Sequence, residues 1–65
     1  MYKIETEQET DGRWIAEIKE LKGAMVYGDS KKEAIEKVEA LTLRIMAEQL
    51  ENGEATGQLN LLFAA

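Results

Sequence analysis

The sequence predicts an α+β fold: a three-stranded antiparallel meander, one long α-helix packed on one sheet face, and a fourth C-terminal strand, giving β-β-β-α-β with strand order 3-2-1-4. Three observations lead there. Apolar residues alternate with period two through the first half, the period lengthens to that of a helix after residue 30, and turn or capping residues separate the runs. Those separators are Asp11-Gly12, Gly23, Gly28 and the pair Ser30 and Glu33, spaced as a capping box.

The first strand is expected over residues 2–7, where Tyr2, Ile4 and Thr6 share one side and charged residues the other. Asp11-Gly12 then supplies the positive-φ positions of a tight hairpin. The second strand, residues 13–19, places Trp14, Ala16 and Ile18 on the face assigned to the helix, so Trp14 reads as a core residue rather than a binding anchor. The opposite face carries Lys3, Glu5, Arg13, Ile15 and Glu17, and reads either as a solvated face or as a partner surface. Residues 24–27 are short and β-prone and follow a glycine-containing connection, which suits a third antiparallel strand.

From Lys31 to about Glu51, Ala34, Ile35, Val38, Leu41, Thr42 and Ile45 form one apolar stripe. A helix of that length spans about 30 Å, enough to cross a small sheet. Glu33 and Lys37 are placed as an i, i+4 ion pair, and Asn52-Gly53 is a stop signal. Residues 58–63 resume a strand alternation, with Leu59, Leu61 and Phe63 on one side. A right-handed crossover brings this strand back beside the first, unless the 52–57 segment lets it pair with another subunit.

Composition narrows the function. The chain has 65 residues, one domain's worth, and a domain so small buries only about 60% of the surface its unfolded chain exposes. Without cysteine or histidine it has neither disulfides nor the usual zinc ligands to reinforce it, so self-association is expected. The same absences remove the commonest general base and thiol nucleophile, and no enzyme activity or cofactor is expected. Glu5, Glu7 and Glu39 are the candidates for a two-metal nuclease, but no aspartate lies mid-strand to complete one. Gly23 and Gly28 lack the order of a phosphate-binding loop. A net charge of −5 opposes binding to a phosphate backbone and points to a basic protein as partner. No leader or run of about 18 apolar residues is visible, so a cytoplasmic location is expected.

Asp11, Gly12, Trp14, Ile15, Ala16, Glu17, Ile18, Glu20, Leu21, Gly23, Ala24, then Gly28, Asp29, Ser30, Glu33 and Ala34 together resemble the pattern of the HicB-like antitoxins. That pattern runs D-G-x-[YW]-[VI]-A-E-[VI]-P-E-L-P-G-[CA], a short strand, and G-[DE]-[ST]-x-x-E-A. The chain departs from it at Lys19 and Lys22, where the family commonly has proline. The resemblance implies a reduced RNase H-like sheet crossed by one helix. It also implies inhibition of a small basic, HicA-like RNA-cleaving toxin with a double-stranded-RNA-binding-like fold by covering its active site. Many family members continue into a DNA-binding segment; here residues 1–65 are expected to form a single HicB-like domain without one, so DNA binding by this chain alone is not expected. The rival reading is a stand-alone homo-oligomeric structural or ligand-sensing module.

For the partner surface the residue pattern singles out Glu5, Glu7, Glu17 and Glu20 for charge, with Ile15 among them on the open sheet face. Leu43, Met46 and Leu50, spaced i, i+3, i+7, are expected to form a second apolar ridge, with Met46 at the margin of the core stripe and Leu43 and Leu50 on its far flank.

Overall fold

Period-two alternation on either side of one glycine turn produces the first hairpin. In the computed structural model, which describes residues 2–54, β1 (Glu5–Gln8) pairs antiparallel with β2 (Trp14–Glu17), placing Thr6 opposite Ala16 and Glu7 opposite Ile15. The turn differs from the two-residue form expected. The Gly12 N–H donates to the Glu9 carbonyl at 3.0 Å and the Glu9 N–H to the Arg13 carbonyl at 2.7 Å, so Thr10, Asp11 and Gly12 all belong to the loop. Only Gly12, with φ 93°, takes the left-handed backbone, because a three-residue loop needs a single such position and glycine adopts it without a Cβ clash. Asp11 serves differently: its carboxylate accepts from the Arg13 N–H at 3.1 Å and from Arg13 Nε at 2.8 Å, bracing the turn.

A compact connection leads to β3 (Met25–Gly28), which pairs antiparallel with β2 in the order β1-β2-β3. Leu21 is buried within that connection, and the Ala24 and Leu21 N–H groups donate to the Leu21 and Ile18 carbonyls. The loop is thus closed by its own backbone bonds and an apolar plug.

Ser30 caps α1 (Lys31–Glu51), its hydroxyl accepting from the Glu33 N–H at 3.0 Å. Glu33 reaches back to the N–H of Asp29, at 3.1 Å, one residue earlier than the usual reciprocal bond. It also pairs with Lys37 at 3.1 Å. At the other end the Gly53 N–H donates to the Leu50 carbonyl and the Glu54 N–H to the Gln49 carbonyl, with Gly53 at φ 75°. These paired bonds are a Schellman stop, as Asn52-Gly53 predicts.

The helix lies mainly over β3 and β2. Its buried residues, Ala34, Val38, Thr42 and Met46, run at i, i+4, i+8, i+12, and the core joins Ala34 and Val38 to Ala16, Ile18, Leu21 and Ala24. Tyr2, Ile4, Trp14, Val26 and Ile45 pack around it. Gly28 matters by proximity: a Cβ there would stand 2.6 Å from the Ala34 nitrogen, so a bare backbone lets the helix's first turns approach β3. The expected fourth strand, residues 58–63, lies outside the described residues.

Candidate functional site: the uncovered sheet face

Among the described residues, one layer of helix covers one face of the sheet and leaves the other bare. Because side chains alternate along each strand, the same register that points Thr6, Ala16 and Val26 at the helix turns Glu5, Glu7, Ile15, Glu17, Met25 and Tyr27 outward. Two rows cross this face. Glu7, Ile15 and Tyr27 form one, and Glu5, Glu17 and Met25 the next.

Ile15 is therefore the centre of a mixed surface. It is half-buried between carboxylates on the β1 side and exposed Tyr27 and Met25 on the β3 side. A shallow concavity of about 230 Å³ over β1 and β2 is lined by Glu5, Glu7, Glu9, Ile15, Glu17 and Lys19. Lys19 Nζ stands 3.7 Å from Glu5 Oε1, an exposed pair that contributes little to stability. Glu5 and Glu17 are direct cross-strand partners of like charge, an arrangement that weakens the sheet.

Tyr27 is held in place on this face. The Arg13 guanidinium lies 4.5 Å from its ring centroid, and its hydroxyl donates to Glu9 Oε1 at 3.5 Å. Arg13 is itself gripped by Asp11, whose carboxyl is held below its ordinary value, first by the hydrogen bond from the Arg13 backbone N–H and then by the Arg13 side chain. The turn thus orients the cation that flanks the aromatic ring.

Of the residues singled out from the sequence, Glu5, Glu7, Ile15 and Glu17 come together here. Glu20 is exposed in the connection between β2 and β3, outside the strands. On the helix, Leu43 and Leu50 are 63% and 53% exposed, whereas Met46, expected at the margin of the core stripe, is buried. Met46 follows Thr42 by four residues and Val38 by eight, which continues the core stripe, so it turns inward. Sequence reasoning missed Tyr27 and Met25. Their alternation carried the signal, but their face became definite only once Ile15 was matched to Tyr27.

On the β1 side of the helix, Tyr2, Ile4, Ile18, Thr42, Leu43 and Met46, with Glu39 among them, line an open and mostly apolar groove of about 450 Å³. The Thr42 hydroxyl is buried beside it and has no hydrogen-bond partner among the described residues. Among those residues no cluster of three or more potential ligands is arranged to hold a metal ion, and no helix is long and apolar enough to cross a membrane.

Compared with protein-family models, with curated proteins and with solved structures, the chain matches none.

Proposed function

We propose that this chain is a HicB-like antitoxin that binds a small basic RNA-cleaving toxin through its uncovered sheet face and inhibits it by masking the active site. The observation that carries the reading is the juxtaposition of Glu5, Glu7 and Glu17 with Ile15, Tyr27 and Met25 on a face that no other element covers among the described residues. Carboxylates around an apolar and aromatic centre suit a cationic protein surface, since charge speeds encounter while desolvated aromatic contact slows release. The net charge of −5 acts in the same direction over longer range. The resemblance around Asp11 to Ala34 supplies the toxin class.

The same reading includes a fourth strand over residues 58–63, parallel to β1, which extends the sheet to order 3-2-1-4. Two features support it: the outer edge of β1 is unpaired among the described residues, and the apolar groove beside that edge suits Leu59, Leu61 and Phe63.

The test is co-expression with the product of the neighbouring gene, followed by size-exclusion chromatography and titration calorimetry. A co-eluting basic protein is expected, whose RNA cleavage stops on binding. Replacing Glu7 and Glu17 together by Lys should weaken binding at least tenfold with the fold retained. A neighbour that is not basic, or a complex indifferent to these changes, favours the stand-alone module instead.

A further inference from the structure

The outward face of α1 repeats with a period the core does not use. Ala40, Leu43, Ala47 and Leu50 are spaced 3, 4 and 3 residues apart and are all exposed among the described residues, on the flank of the helix away from Ala34 and Val38, with Leu43 also at the rim of the groove beside Met46. A spacing that averages 3.5 residues is that of a seam between two helices, with large and small residues alternating along it. Glu36, the preceding position in the same register, and Glu54, just past the Gly53 stop, are exposed and bound the seam with charge.

We propose that this face is the contact between two copies of the chain, packed as an antiparallel helix pair. About a two-fold axis at the level of Ile45, Leu43 meets Ala47 of the partner subunit and Ala40 meets Leu50 of the partner subunit. Every layer then holds one large and one small side chain, so the helices keep an even separation. A parallel pair would stack alanine on alanine between layers of leucine on leucine, leaving gaps. The antiparallel order also sets Lys37 beside Glu51 of the partner subunit, and the helix dipoles oppose one another. Arg44 faces its own copy near the axis, with Glu48 one turn along the same helix as its counter-charge. The sheets lie on the outer sides of the pair, so their uncovered faces stay free for another partner.

Three helical turns make a small contact compared with the roughly 800 Å² per subunit of a typical stable interface, so the dimer forms only at high protein concentration. Added salt should strengthen it by screening the repulsion between two chains of charge −5, whereas it should weaken capture of a cationic toxin. Failure of one reading is thereby distinguishable from failure of the other.

Sedimentation velocity on the full chain, run from about 10 μM to about 1 mM, should show a monomer–dimer equilibrium. Leu43→Glu with Leu50→Glu should abolish it while leaving the far-ultraviolet circular dichroism unchanged. Because the natural chain has no cysteine, disulfide trapping reports orientation independently. Ala40→Cys with Leu50→Cys should give a covalent dimer under oxidation, and Ala40→Cys alone should not. A chain that stays monomeric throughout, a dimer that survives the double glutamate change, or trapping by Ala40→Cys alone overturns the proposal.

Discussion

At Gly28 a hydrogen in place of a methyl group governs how closely helix and strand can meet. The obstacle to a Cβ there is the backbone of Ala34 and Glu33, which cannot swing aside as a side chain could. Gly28→Ala should cost about 2–3 kcal/mol, as overpacking of a rigid contact does, read as a lower midpoint of urea unfolding. Thr42 is the opposite case. Its hydroxyl is buried without a partner among the described residues, so Thr42→Val removes a desolvated donor while nearly keeping shape. A stabilisation of about 1 kcal/mol is expected in the same assay, and a loss would mean that the hydroxyl bonds to something beyond those residues.

Elements draw on pairs of residues, and two pairs carry opposite signs. At the start of α1 the Glu33 carboxyl is held below its ordinary value of 4.5 by the Asp29 N–H and then by Lys37. The folded state therefore binds this proton more weakly than the unfolded chain, and the contribution is present above pH 4.5 and lost as the pH falls through the lowered folded value. Thermal melts of Glu33→Gln should lie below those of the natural chain near neutrality and converge with them in acid. A pH-independent gap would show that the charge is not responsible. In the sheet, Glu5 and Glu17 repel across β1 and β2, so Glu17→Thr should stabilise by about 0.5 kcal/mol. If the uncovered face docks a cationic toxin, the same change should lengthen the chain's thermal lifetime and weaken the complex. Such a trade-off marks a residue retained for binding rather than for folding.

For the molecule as a whole, two exposed surfaces differ in chemistry. The uncovered sheet face is acidic around an apolar centre, and the outer helix face is an alternation of leucine and alanine. Charge governs the first over distances of about a Debye length, roughly 8 Å at physiological ionic strength, while the second is contact-driven. Raising the salt concentration should therefore reduce the association rate with a cationic toxin several-fold with little change in its dissociation rate, measurable by stopped-flow mixing. An equal effect on both rates would argue against electrostatic steering.

Local chemistry was legible in the residues themselves. The three-strand meander, the Ser30 cap, the helix over 31–51 and its stop at Asn52-Gly53 each depend on neighbours a few positions away, and of the expected apolar stripe Ala34, Val38 and Thr42 are buried while Ile35, Leu41 and Ile45 are half-buried. Tertiary structure alone decided what depends on distant groups. It set the three-residue turn around Gly12, the inward course of Met46 and the approach of Ala34 to Gly28. It also brought Tyr27 across the sheet to Ile15 and beneath Arg13. A period shows that a helix has a buried side, but the width of that side is set by what packs against it, and a strand's outward face acquires its composition only when its register with the next strand is chosen.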